Sequence, residues 1–360
     1  MAALSWNGIG SAQSTTQGYI GADQCGTCHA AKLAIQKQSD HAHSLARPAD
    51  HALAGQFAPD RKFIRADKYQ FQFSFNGNQL HLQAWDDSQE INLPVEWAFG
   101  AGTQAVTFTS RVNSDWYLEH FLSYYSAARS YAATPGQTVL NEDTLSAALG
   151  KVFRSSATSA GVYQCFQCHS TGPVGRGPDG DLRPSELGVR CEVCHGPGKS
   201  HRDAVLGGDI VRARASIQKP QRMSAPELNQ FCGQCHRQPA AAGVEIDWNV
   251  PWNVRHQPVY LSQAACFLQS KGALSCLTCH DPHAQLVRDD TFYNSKCARC
   301  HNQKERPPSP VCLNREQSNC VNCHMPRVSP QSYLRFTNHW IGIYEGGDGL
   351  RPISRSQPIR

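Results

Sequence analysis

No stretch of eighteen apolar residues occurs anywhere in the 360-residue chain, so the sequence offers no membrane-spanning helix. Nor does it open like a secretory leader. The first Lys or Arg is Lys32 and no apolar core precedes it, so the chain reads as a mature form or a truncated reading frame. Methionine is almost absent, with three in all, which leaves few thioethers for packing or for metal ligation. Aliphatic content is modest and mean hydropathy is −0.48. With 28 Gly and 21 Pro, that composition predicts a loop-rich chain with too little apolar side-chain material for a large conventional core.

Cysteine and histidine are plentiful, at 16 each. They recur in one arrangement, Cys-x-x-Cys-His, at Cys25-Cys28-His29, Cys165-Cys168-His169, Cys191-Cys194-His195 and Cys232-Cys235-His236. Three further copies crowd into residues 276–324: Cys276-Cys279-His280, Cys297-Cys300-His301 and Cys320-Cys323-His324. Random placement of these residues would give roughly 0.03 copies. Zinc also uses Cys-x-x-Cys pairs, but has no need of His after every second Cys. Disulfides would leave seven histidines unexplained. The pattern instead suits covalent haem c: two thiols add to the two vinyl groups and the adjacent imidazole takes an axial position on iron. Seven covalently attached haem c groups are expected.

At about 51 residues per motif, seven porphyrins must form much of the interior themselves. The formal charge of +5 then loses its usual meaning. Haem propionates would add about 14 negative charges and bring the balance to about −9, so nucleic-acid binding is not inferred from basicity. Because haem is joined to this motif outside the cytoplasmic membrane, a periplasmic or extracellular location is expected.

Local patterns divide the chain. Residues 1–18 read as a flexible lead-in, 19–56 as a first haem segment, 57–135 as a haemless β-rich segment, 136–270 as haems two to four, 271–345 as haems five to seven, and 346–360 as a mobile tail. Ala30–Gln38 favours helix. Tyr69, Phe71, Phe73 and Phe75 alternate with polar residues, Asn76-Gly77 marks a tight turn, and Leu80, Leu82 and Ala84 resume the alternation, predicting a hairpin. Strands are expected at 105–112 and 116–121, a helix around 144–154, and loops at Gly172-Pro173 and Gly177-Pro178. The fold class expected is a multihaem cytochrome c, loop-rich and α-helical around a haem core, with a small antiparallel β insertion.

Each iron needs a sixth ligand or stays open, and nine histidines lie outside the motifs. His201 and His283 follow turn-forming Gly-Pro-Gly and Asp-Pro segments just beyond a motif, and His339 lies between aromatic residues. These three, with His256 and His120, are taken as distal ligands. At least one of His41 and His43 joins them. His81 falls on the polar face of its strand and His51 in a loop, and both are left out. Met223 is the only free thioether, so most irons should be bis-histidine. Cys266 and Cys312 remain outside the motifs and suit a disulfide in an oxidising compartment.

Tyr19-Ile20-Gly21, Trp97-Ala98-Phe99-Gly100 with Thr107-Phe108, the run from Gly188 to Gly198, Cys276–His283, and Cys323-His324-Met325-Pro326 followed by Phe336-Thr337-Asn338-His339 together carry a resemblance. Residues 19–345 resemble exported multihaem c-type cytochromes related to the tetrahaem cytochrome that accepts electrons from hydroxylamine oxidoreductase, chiefly its larger bacterial relatives. Those are often fused to tetratricopeptide repeats, which are not found after residue 345, so a docking role for repeats is not implied. The resemblance implies distal roles for His201, His283 and His339 and a regular place for the β segment.

Electron transfer between donor and acceptor redox proteins is the expected function, through a single chain or through copies stacked head to tail as a homopolymer. The alternative is a multihaem oxidoreductase acting on a small nitrogen or sulfur compound at one open iron. Against it, no motif ends in Lys, and non-motif histidines outnumber the irons. Tyr124-Tyr125 reads as strand packing rather than as a cross-linked tyrosine.

Overall fold

The computed structural model describes residues 18–137, 143–155, 161–237, 246–301 and 319–353. Its two regions differ in what fills them. In the first, alternation drives strand formation: Tyr69, Phe71, Phe73, Leu80, Leu82 and Ala84 are all buried, while the residues between them face outward or are half-buried. Strands Tyr69–Asn76 and Gln79–Trp85 pair through a two-residue turn in which Asn76 meets Gln79 and Gly77 has φ 57°, a left-handed conformation that glycine adopts without a Cβ clash. Phe63–Arg65 and Glu90–Pro94 flank them in a four-stranded antiparallel sheet.

A seven-stranded sheet packs against this one. Its path runs Leu45–Ala46, Trp97–Phe99, Ala105–Arg111, Trp116–His120, Gly150–Arg154, with Leu122–Tyr125 and Ser130–Ala133 branching from it. The shared core is aromatic. Phe57, Phe73, Phe108 and Tyr131 are buried together, and the Phe73 and Tyr131 rings stack at 4.2 Å. Each such side chain contributes about 1.5–3 kcal/mol by burial, so protein side chains fill the core of this region.

The β region is larger than the expected insertion and begins and ends outside 57–135. The helix expected around 144–154 lasts one turn, Leu145–Ala148, capped by the Thr144 hydroxyl. The chain then becomes strand Gly150–Arg154, because Val152 and Phe153 pair with Leu118 and Tyr117 and pairing outweighs local propensity. Likewise, Gly172-Pro173, expected as a loop, lies in a hairpin, Ser170–Arg176 with Leu182–Leu187, while Gly177-Pro178 falls in its connecting loop as expected. Gly172-Pro173 sits at the register shift between Thr171 and Val174, where a bulge accommodates both residues.

The second region consists of short helices, the longest being Ala225–His236 and Asp290–His301 at 12 residues each. Helix Asp290–His301 buries no residue. A small apolar cluster of Val254, Val259, Tyr260, Val328 and Leu350 closes the far side, with Trp248 and Trp340 against it. Leu350 corrects the expectation of a mobile tail from residue 346. It is 4% exposed, and Asn338 Nδ2 donates to the Gly349 and Leu350 carbonyls. Cys312, and with it the expected disulfide to Cys266, lies outside the described residues. Among the described residues no helix is long and apolar enough to cross a membrane.

Candidate metal centres

All seven motifs lie on short helices, within Ala22–Gly26 and the turn after it, Tyr163–His169, Cys191–His195, Ala225–His236, Cys276–Cys279, Asp290–His301 and Cys320–His324. A helical repeat of 3.6 residues puts positions i, i+3 and i+4 on one face, so both thiols and the imidazole are presented together. Capping boxes start two of these helices, Ser224 with Glu227 and Ser275 with Thr278. Gly196, at φ 75°, ends the helix of the third motif and lets the chain turn into Lys199–Leu206, which carries His201.

Four motif imidazoles each face a non-motif imidazole. The ring centroids of His29 and His201 are 6.4 Å apart, those of His236 and His41 6.1 Å, those of His195 and His283 6.1 Å, and those of His280 and His339 6.3 Å. Metal–imidazole bonds are about 2 Å and a ring nitrogen lies about 1.1 Å from its centroid, so two imidazoles on one metal should stand about 6 Å apart. The residues therefore fit a haem iron placed between each pair.

The tautomers fit as well. All four non-motif rings have Nδ1 against an acceptor: His41 on the Pro282 carbonyl at 3.2 Å, His201 on Ala213 at 2.8 Å, His339 on Thr337 at 2.9 Å and His283 on Asp281 Oδ1 at 3.1 Å. Motif rings His169, His195 and His324 do the same on the carbonyls of Ser44, Gln218 and Gly342, at 2.9, 2.9 and 2.7 Å. With its proton on Nδ1, each ring keeps the Nε2 lone pair for a metal.

His236 has an exposed edge yet is packed deeply enough among protein atoms that burial pushes it down to about 4. Burial pushes His339 down to about 4 as well, and lowers His169 and His280. Burial disfavours the protonated form of these rings and favours the neutral form that binds metal.

His120 is a correction. It is fully buried between the sheets, its Nε2 lies 2.7 Å from Ser110 Oγ, and its ring packs 6.3 Å from Phe73. It supports the β core and does not face a motif. His51 is likewise occupied, with Nε2 on the Gly100 carbonyl at 2.9 Å and Nδ1 accepting from Leu53 N at 3.0 Å, and His81 bonds Asn92 at 2.9 Å.

Neither His43 nor His256 belongs to one of the four ring pairs. His43 is exposed. His256 lines a cavity with Gly136, Arg237, Trp252, Asn253 and Arg255, and Arg237 acts electrostatically on both His256 and Cys168 of the second motif. His301 is exposed at the edge of the described residues. Sequence reading missed two charged residues beside motifs, Arg237 and the buried Glu192. The only local signal for Glu192 was a carboxylate placed between two motif cysteines.

Motifs also touch one another. The Cys25 thiol meets Cys191, Cys168 meets Cys235, and Cys232 meets Cys276. Cys194 lies near Cys232, and Cys297 near Cys320. The helix of the fifth motif packs on that of the sixth. The seven therefore form one connected set, ordered first, third, fourth, fifth, sixth, seventh, with the second against the fourth.

A family model described as cytochrome c554 and c-prime matches residues 125–196, which include the second and third motifs. The multihaem cytochrome MtrA of Shewanella baltica (strain OS185) is 24% identical over 205 residues, 53% of this chain and 54% of that protein. Over these stretches the chain is similar to multihaem cytochromes. The chain spans about half the length of that curated relative. The crystal structure of outer cell wall cytochrome OcwA aligns with it over 90% of this chain and 80% of that one, at TM-score 0.48 and 14% identity.

Proposed function

We propose that this chain is a multihaem cytochrome, a heptahaem electron carrier working in the periplasm or outside the cell. The observation that carries the reading is the set of four imidazole pairs at 6.1–6.4 Å, on motifs that touch in one connected series. Haem c, once attached, would supply a one-electron iron couple that changes state without bond making.

The chain's own residues do the rest. Cysteines would hold each haem against a helix face, four imidazole pairs would supply both protein ligands of their irons, and backbone carbonyls, or for His283 the Asp281 carboxylate, hold the rings in one tautomer. At those four centres filled positions would disfavour substrate binding, which favours carrying electrons over catalysis. His256 is assigned to the second motif, since Arg237 lies near both it and Cys168. Kinship with the tetrahaem partner of hydroxylamine oxidoreductase belongs to this proposal, supported by the match over residues 125–196.

Donor and acceptor are redox proteins that dock on a single chain. Head-to-tail stacking would instead give concentration-dependent polymers in sedimentation. The deciding experiment is haem quantification with low-temperature electron paramagnetic resonance of the oxidised holoprotein. Seven haems are expected, at least four of them low-spin, from the four paired centres. Fewer than four low-spin signals would overturn the reading, and a high-spin haem that turns over a small nitrogen or sulfur compound would favour an oxidoreductase.

A further inference from the structure

We propose that Glu192 is a positioning residue that closes the iron site of the first motif and fixes it against that of the third, an inference that rests on the haem reading above. Glu192 stands between Cys191 and Cys194 and is 2% exposed. Its Oε1 accepts from Ile20 N at 3.0 Å and Gly198 N at 2.7 Å, and its Oε2 from Ile20 N at 3.2 Å and Gly21 N at 2.8 Å.

Those amides belong to both sides of the first centre. Ile20 and Gly21 lead directly into helix Ala22–Gly26, and the Gly21 carbonyl accepts from Cys25 N at 3.3 Å. Gly198 is the N-cap of helix Lys199–Leu206, whose His201 faces His29. One carboxylate inside the third motif thus anchors the backbone that delivers the proximal and the distal imidazole of the first. Gly198 is closely packed at this contact: an added Cβ would lie 2.9 Å from Ile20 Cδ1 and 3.3 Å from Glu192 Oε1. The Lys199 N bond to the Gly18 carbonyl, at 2.9 Å, ties the same two segments once more.

The carboxylate also carries charge into a buried place beside Cys25 and Cys191. A fixed negative charge there stabilises ferric over ferrous iron at both neighbouring centres. Position and charge therefore give separable signatures.

In Glu192→Gln, one oxygen becomes an NH2 group that faces either Gly21 N–H or Gly198 N–H, donor against donor. Spectropotentiometry should show two of the seven midpoint potentials raised and five unmoved, with one low-spin signal altered. Glu192→Ala should let one haem bind one equivalent of cyanide. Glu186→Gln separates the effects. Glu186 accepts from Ala22 N at 3.0 Å, so its loss should raise potentials beside Cys25 without disturbing the low-spin signals.

Wild-type potentials and signals in both Glu192 variants, or a uniform shift of all seven, would overturn the proposal. Hydrogen exchange of the wild-type holoprotein tests it even where variants fail to mature: the amides of Ile20, Gly21 and Gly198 should be protected together, and exchange at exposed-loop rates would overturn it. Haem counting on the wild type fails separately if the haem reading is wrong, while the exchange test still reports on the clip.

Discussion

The imidazole planes of His195 and His283 lie 9° apart with their centroids separated by 6.1 Å. His195 closes the third motif, and His283 follows the fifth by three residues. The other pairs repeat this crossing: the first motif is completed from beyond the third, the fourth from beyond the first, and the fifth from beyond the seventh. Segments between motifs thus hold neighbouring centres together as well as spacing them.

Replacing a distal ring should open one iron and leave the others. In His283→Ala, one low-spin signal is expected to be lost and one further equivalent of cyanide to be bound, while the remaining low-spin signals persist. The motif cysteines and the His195 bond to the Gln218 carbonyl remain, so the haem count should not change. An unaltered set of low-spin signals would show that His283 is not an axial ligand.

His120 should behave in the opposite way. Burial pushes its imidazole down to about 3, whereas an unfolded histidine takes a proton near pH 6.5. Below about pH 6.5 the unfolded chain therefore binds a proton that the folded chain refuses, and stability falls as pH drops toward 3, by about 1.4 kcal/mol per pH unit. His120→Gln should lose that dependence, sparing about 2 kcal/mol of acid destabilisation between pH 7 and 5. Denaturant unfolding followed by circular dichroism at the two pH values measures the difference, and the haem spectra should not change.

The contrast between these histidines shows what the sequence reveals. Covalent attachment needs contiguous residues, so the motifs are legible outright. His201 and His283 are legible as rings just past a sharp turn. Their partners are not, because each pairing joins segments distant in the chain. His120 was misread because strand Trp116–His120 is buried on both sides: Tyr117, Leu118 and His120 are all covered, which erases the alternation that marks a structural histidine. The hairpin of residues 170–187 was hidden for a related reason, since its Gly-Pro pair marks a bulge within a strand as readily as a loop.

Gly188 gives a test of backbone positioning. Its φ is 75°, and an added Cβ would lie 2.1 Å from the Ala42 carbonyl oxygen, which is backbone and cannot swing aside. Next to it, Val189 N donates to the His41 carbonyl at 2.8 Å. Gly188→Ala should cost about 1–3 kcal/mol and displace His41 from His236, so that part of the fourth centre turns high-spin. Gly77→Ala is the control. Its φ is 57° with nothing within 4 Å of the added Cβ, so it should cost about 1 kcal/mol and leave every haem signal in place.

Removing whole centres should have unequal consequences. Helix Ala225–His236 packs on the helices of the second and fifth motifs and on Gln257–Ser262, and its Cys232 and Cys235 touch Cys276 and Cys168. Helix Asp290–His301, by contrast, buries no residue. A haem lost from the fourth motif would leave a void bordered by three other centres, and an unfilled interior loses contacts on every side. Cys297→Ser with Cys300→Ser should therefore yield a folded protein lighter by one haem. Cys232→Ser with Cys235→Ser should lower the yield of mature protein and its melting temperature by a far larger margin. Mass spectrometry counts the haems and thermal melts rank the two; equal destabilisation would contradict a central place for the fourth centre.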